Sequence, residues 1–407
     1  MRSSTPAPQD AGRPARSTVT AAPRRTVGRL ILLLAGGISL LAGLDGALLL
    51  LGLSAPVVSS RLADVHGPLM VFGFVGTVVV LERAVAIRRR WAFLAPALLG
   101  AGGLALLSPL PLPVGQLAFV AGSALLLPIY RVIWRRAPST STAVQALGAL
   151  LGLMATVLWV GGVPTPRLIP AMSLYLVLTI AGERLELARI SPSVDDRAEA
   201  RLLGVSLAMV AGVVVALFWP PIGYPLLGIG MLALVAWLFR HDVATRLIRS
   251  RGLPRYMAAC LLAGYGWLVV AGASWLILGP IFSGPAYDAV LHSIFLGFVV
   301  SMIMAHAPTI LPAVLRRPLP YRPVMYGPAV LLHVSLLARI LLGDAHGLAG
   351  LVEWGGVVNI VAVLSFVVVA VASVLLGMPR PPSAEPSAPR STTTSTSAST
   401  TALDVPR

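Results

Sequence analysis

The sequence predicts an all-α polytopic membrane protein with about twelve transmembrane helices and with both termini in the cytoplasm. Of its 407 residues 57% are hydrophobic and 11% are charged, and the mean hydropathy is +0.87, far above the range of soluble proteins. Apolar runs of about 20 residues, the length of a membrane-crossing helix, recur along the chain. The basic residues fall almost entirely on one side of the membrane that these runs define.

The apolar runs give the order of the predicted helices. Their approximate bounds are 27–51, 65–82, 92–108, 113–130, 142–162, 168–183, 202–219, 224–240, 257–279, 287–307, 324–342 and 351–376. The connections between them are short, and no soluble domain or phosphate-binding glycine loop interrupts the series. The chain is therefore predicted to be one transmembrane domain, residues 26–378.

The two ends have a different composition. Residues 1–25 and 379–407 are rich in Pro, Ser, Thr and Ala and carry too little apolar surface to fold. We expect a disordered cytoplasmic arm and a disordered cytoplasmic tail. The first apolar run is of full membrane length, so no cleavable signal peptide is predicted.

Orientation follows from the arginines. All 31 basic residues are arginine, and only Arg61, Arg167 and Arg339 fall on the outer side when the N-terminus is inside. The net charge of +16 is thus spread over short inner loops beside anionic headgroups. The predicted partner is the lipid bilayer of a bacterial cytoplasmic membrane, and nucleic acid is not a predicted partner.

Two histidines lie at a similar depth near the outer face. His66 is at the start of the second predicted helix and His292 is near the start of the tenth, and both helices run from outside to inside. Polar side chains at membrane depth are costly, so each one is a candidate for function. Either they are interior polar contacts or proton relays, or they form the pair of neutral imidazoles that holds a low-spin haem from two helices.

Two further histidines occur deeper in the chain's apolar segments. His306 follows His292 by a rise of about 21 Å, which is too far for one shared metal ion but keeps both on one face of a regular α-helix. His333, in the eleventh helix, is a candidate partner for His306, either at a second cofactor or metal site or in a polar interior contact. Pro308 and Pro312 are expected to kink or end the tenth helix.

Other polar residues have simpler interpretations. Arg339, at the outer end of the eleventh helix, either binds a haem propionate or extends towards the outer headgroups. His241 and His346 are expected to be solvated. The segment GERLELAR, which begins at Gly182, is expected to form a charge cluster at the membrane border, paired within its own helix.

The segments VHGPLMVFGFVGT and LHSIFLGFVVSMIMAHAPTILPAVL, which contain His66 and His292, resemble the haem-copper oxidase subunit I superfamily, and most closely its NnrS-like branch. In that superfamily histidines of the second and tenth helices hold the low-spin haem near the outer face. The resemblance implies a subunit I-like helical bundle, haem b bound by His66 and His292, Arg339 beside it, and redox chemistry in respiration or nitrosative stress. It leaves copper open as a further cofactor, and other respiratory subunits or a redox protein as partners.

The chain departs from the superfamily at the binuclear centre. An oxidase has a second haem ligand two residues from the low-spin ligand, where this sequence has Val290 and Ile294. The sixth and seventh predicted helices contain no histidine for a second metal. The departures favour a haem-binding relative whose reaction, if it is an enzyme, is undefined.

Two other classes of function remain open. A twelve-helix secondary transporter of the major facilitator type has the same number of helices, and it predicts two similar six-helix halves. A non-catalytic assembly or sensor protein would also retain such a bundle without the binuclear ligands. Transport is the principal alternative to haem binding.

Overall fold

The computed structural model describes residues 22–57, 59–189 and 194–377, and all regular structure in these ranges is helical. Within them twelve helices are long and apolar enough to cross a membrane, which confirms the predicted number. We label them α1 to α12: Val27–Leu50, Arg61–Ile87, Arg90–Leu107, Leu112–Arg136, Thr140–Val160, Thr165–Ala188, Asp196–Phe218, Pro220–His241, Leu253–Leu278, Gly284–Leu315, Pro323–Asp344 and Ala349–Leu376.

The ends of two helices differ from the prediction. The first helix already begins at Ala22, before the predicted residue 27; residues 1–21 of the predicted arm and the tail 379–407 lie outside the described residues. The tenth helix does not end after His306 but continues through Pro308 and Pro312 to Leu315. The hydroxyl of Thr309 donates to the carbonyl of His306 at 2.8 Å, the kind of side-chain bond by which membrane helices accommodate proline.

Three of the helices contain a π-helical segment, in which the backbone bonds i→i+5. The segments are Leu69–Gly76 in α2, Ser293–Val300 in α10 and Ala338–Asp344 in α11. Such segments are rare and are found frequently at functional sites. The segment in α10 also separates His292 from His306, so the estimate that both lie on one face, made for a regular α-helix, does not apply.

Close helix contacts rest on small residues. In the pair α5 and α6, a Cβ at Gly148 would lie 2.8 Å from the carbonyl oxygen of Tyr175, and one at Gly182 would lie 2.7 Å from that of Ser141. Only glycine permits this approach, since hydrocarbon offers no hydrophobic force between helices and packing must supply the contact. Helix α2 meets α10 in the interior, and α1 contacts α10 and α12, which closes the bundle.

Candidate cofactor site and interior charge network

The structure brings His66 and His292 into one cluster near the ends of α2 and α10 that are predicted to be outermost. His66 lies within electrostatic range of His292, Arg339 and Asp288, which come from α10 and α11. His292 immediately precedes the π-helical segment of α10, and His66 lies a few residues before that of α2. Arg339 lies inside the π-helical segment of α11. All three π-helical segments therefore begin at this cluster.

Both imidazoles are held through the same ring nitrogen. Nδ1 of His66 lies 2.7 Å from the carbonyl oxygen of Gly43 in α1, and Nδ1 of His292 lies 2.9 Å from that of Asp288. When Nδ1 donates to a carbonyl, Nε2 of the neutral ring is the acceptor or ligand nitrogen. Neither Nε2 has a hydrogen-bond partner among the described residues.

The Gly43 carbonyl reaches His66 because α1 and α2 approach closely. A Cβ at Gly46 would lie only 2.8 Å from the carbonyl oxygen of Leu62 and 3.4 Å from Cβ of His66. A Cβ at Gly43 would collide with Met70. The two glycines of the sequence GLDG therefore let α1 and α2 come close enough for a backbone carbonyl of α1 to accept a hydrogen bond from His66.

Arg339 is buried, so the predicted extension to the headgroups is wrong. Its guanidinium donates from Nε and Nη2 to the two carboxylate oxygens of Asp288, at 2.9 and 2.8 Å, while only 7% of its side chain is exposed. The same carboxylate lies 3.1 Å from Nδ1 of His292. Asp288 therefore joins His292 to Arg339 and orients both.

Sequence reasoning missed Asp288. The available signal was its position four residues before His292, a spacing at which two side chains on a helix meet. Two other carboxyl groups of these segments have a buried oxygen without a hydrogen-bond partner, Oδ2 of Asp344 and Oδ1 of Asp45. Asp344 interacts with Asp288 and Arg339, whereas Asp45 accepts from the backbone N–H of Val57 at 3.1 Å.

The other two candidate ligands belong to different environments. Nδ1 of His306 lies 2.8 Å from the carbonyl oxygen of Met302 and its Nε2 lies 3.2 Å from Arg184. His333 accepts at Nδ1 from the indole of Trp267 at 3.0 Å, and its Nε2 is 3.4 Å from the hydroxyl of Ser301. All four ring nitrogens have protein partners, which favours polar interior contacts over the predicted metal site.

His306 contacts a buried ion pair at the arginine-rich side of the bundle. The guanidinium of Arg184 donates from Nε and Nη2 to the carboxylate of Asp242 at 2.7 and 2.8 Å, and Asp242 also accepts from the hydroxyl of Tyr265 at 2.7 Å. Burial alone would raise the pKa of Asp242, but the hydrogen bonds and charge of Arg184 hold this pKa below its ordinary value.

This network corrects the interpretation of GERLELAR. Three charged residues of the segment pair with other parts of the chain: Glu183 with Arg83 of α2, Arg184 with Asp242 after α8, and Arg189 with Glu199 of α7. His241, predicted to be solvated, is buried and stacks on Trp237. His346 is exposed, as predicted.

The residues of the outer cluster fit a haem better than a bare metal ion. Two imidazoles from two helices, each with its Nδ1 bound to a carbonyl, would hold a haem iron, and Arg339 would be the cation beside it. A closed site for a bare ion needs about four ligands. No group of three or more His, Cys, Asp or Glu residues placed to hold a metal occurs in the described parts of the chain.

Comparison with known families finds one match. A family described as a domain of unknown function, DUF8744, matches residues 29–375. No curated protein and no solved structure matches the chain.

Proposed function

The chain belongs to the DUF8744 family, and we propose that this member is an integral membrane haem protein that holds one haem b between His66 and His292. The observation that carries the proposal is the state of these two side chains, with each Nδ1 at a backbone carbonyl and each Nε2 without a protein partner. An imidazole near a membrane interior whose second nitrogen is unused is poised to ligate. The orientation with both termini inside, and the bacterial cytoplasmic membrane, complete the proposal and rest on the arginine distribution.

The pattern of burial supports a bundle like that of haem-copper oxidase subunit I. Over their most apolar windows α2, α6 and α10 are 56%, 89% and 67% buried, more than any other of the twelve helices. The most buried helix is thus the second in each consecutive set of four, as expected for a bundle built from three groups of four helices. Two of these three inner helices carry His66 and His292.

The same pattern disfavours the transporter alternative. Two similar six-helix halves would make α6 equivalent to α12, yet 89% of the window in α6 is buried and only 33% of that in α12. Helices α4 and α10 also differ, at 39% and 67%, while the other four pairs are similar in burial. Haem binding is therefore the function that the described residues support best.

The residues around the site define what the protein would do for the cofactor. A bound haem supplies one-electron chemistry, and the protein supplies binding, orientation and electrostatics. Asp288 orients His292 and Arg339, and its carboxylate, close to an imidazole that would hold the haem, would favour the oxidised state. At the place of the missing second ligand, Val290 and Ile294 are 2% and 0% exposed, so the chain offers an apolar surface there.

Absorption spectroscopy of the purified protein, oxidised and then reduced with dithionite, tests the proposal together with pyridine haemochrome quantification. We expect near-stoichiometric haem b in the wild type, and its loss in His66→Ala and in His292→Ala. His333→Ala is the matched control, because His333 is also intramembrane but has protein partners at both nitrogens. Full haem occupancy in a His66→Ala/His292→Ala double variant, or a wild type that takes up no haem on reconstitution, would overturn it.

A further inference from the structure

A second site lies at the opposite, arginine-rich side of the bundle. A cavity of about 350 Å³ opens there between the start of α9 and the connection from α10 to α11. Its lining residues are Arg251, Gly252, Arg255, Tyr321 and Tyr326. None of them belongs to the proposed haem site, so this cavity is independent of the proposed function.

The cavity carries two cations that the protein leaves unpaired. The guanidinium groups of Arg251 and Arg255 form no ion pair or hydrogen bond with any residue that the structure describes. The described lining includes no carboxylate. Both arginine side chains are exposed, so water weakens their mutual repulsion, and an anion between them would remove it.

The backbone at the cavity adds a third positive feature. Helix α9 begins at Leu253, directly after Gly252, which has no side chain to cap the free N–H groups of Leu253 and Arg255; Pro254 has no N–H. Arginine in the first turn is unfavourable there, because the N-terminal end of a helix has a partial positive charge. The first turn of α9 is therefore left without the anion that would stabilise it.

Helix α7 shows a different arrangement on the same side of the bundle. It is capped by Asp195, whose carboxylate accepts from the N–H of Ala198 at 2.8 Å, and it has Asp196 and Glu199 in its first turn. Acidic residues thus lie next to the free N–H groups at the start of α7, whereas two arginines lie at the start of α9. The described chain places no acidic side chain in the first turn of α9, so an anion there would have to come from outside the chain.

The tyrosines give the cavity a fixed wall. The rings of Tyr321 and Tyr326 both pack against the fully buried ring of Tyr256, with centroid distances of 5.8 and 5.2 Å. Tyrosine is favoured at the membrane interface, where its ring is buried and its hydroxyl donates to polar groups. A fixed wall lowers the entropy cost of binding.

We propose that this cavity binds a phosphate-bearing anion through Arg251, Arg255 and the N-terminal N–H groups of α9. Arginine and helix N-termini are the common phosphate donors of proteins. Basic pockets between membrane helices at this level bind the headgroups of anionic lipids, and a free phosphate group presents the same chemistry. The headgroup of an anionic phospholipid and a soluble phosphate are the two sources to distinguish.

The test uses the full chain purified in detergent and stripped of lipid. Native mass spectrometry measures retention of added phosphatidylglycerol against phosphatidylcholine, and calorimetry measures binding of inorganic phosphate. The variant is Arg251→Gln/Arg255→Gln, and the matched control is Arg240→Gln, an exposed arginine on the same side but outside the cavity. Removal of two arginines should weaken anion binding about thirtyfold, while the control binds as the wild type.

The two arms separate the sources. Retention of phosphatidylglycerol that is lost in the double variant identifies a lipid headgroup, and phosphate binding that is lost in the same variant identifies a soluble anion. If neither probe binds the wild type, or if the double variant binds as well as Arg240→Gln, the proposal is wrong.

Discussion

Replacing Asp242 by asparagine should destabilise the protein by about 3–5 kcal/mol, the usual cost of breaking a buried ion pair. The side chain of Asp242 is fully buried and accepts four hydrogen bonds: two from Arg184, one from Tyr265 and one from the N–H of Ala244 at 2.7 Å. Asparagine has one acceptor oxygen and presents an NH₂ group to donors. The substitution therefore leaves the charge of Arg184, 2% exposed, without a counter-ion.

Glu199→Gln is the matched control, since it also removes one carboxylate from an ion pair. Its partner Arg189 is 43% exposed, and a pair of this kind contributes about 0–1 kcal/mol. A further variant separates charge from packing: Arg184→Met in the Asp242→Asn background should recover part of the loss, because no unpaired charge then remains buried.

The chain contains its own reporter of unfolding. Cys260 is the single cysteine and is 3% exposed, so a thiol-reactive fluorophore labels it only when α9 opens. Midpoints of thermal unfolding in detergent should fall several times further for Asp242→Asn than for Glu199→Gln. Equal midpoints for the two variants would refute the reasoning that this ion pair stabilises the bundle.

Three other substitutions and conditions test separate parts of the structure. The pKa of Asp242 is lowered in the folded protein, so its contribution to stability is present above the unfolded pKa of about 3.9 and is lost as pH falls towards the folded pKa. Wild-type unfolding midpoints should therefore drop as pH falls below about 5, and they should drop less in Asp242→Asn. Asp288→Asn should weaken haem retention about 10–100-fold and raise the midpoint potential, measured by redox titration; unchanged values would exclude its positioning role. Gly297→Ala should cost about 1–3 kcal/mol in the thiol assay, because the new Cβ would lie 2.3 Å from Cγ of Trp267, whereas Gly266→Ala, with no atom within 4 Å, should be neutral.

The role of the glycines near the histidines could be decided only from the structure. From the sequence alone, Gly73 and Gly297 could provide room for a flat cofactor, but the more common role of such glycines in membrane helices is packing against another helix. In the structure a Cβ at Gly73 would meet the hydroxyl of Ser39 at 2.9 Å, and one at Gly297 would meet the indole of Trp267. Both glycines serve helix packing, because protein atoms already occupy the space beside them.

The sequence by itself determined the twelve helices and the choice of His66 and His292 as candidates. These features depend on hydropathy and arginine distribution along the chain, which require no knowledge of neighbours. Only the tertiary structure decided that Asp288 links His292 to Arg339, that Arg184 pairs with Asp242, and that His241 is buried. Such contacts depend on which helix faces meet, and in a chain this apolar the hydrophobic period that would reveal those faces is nearly absent.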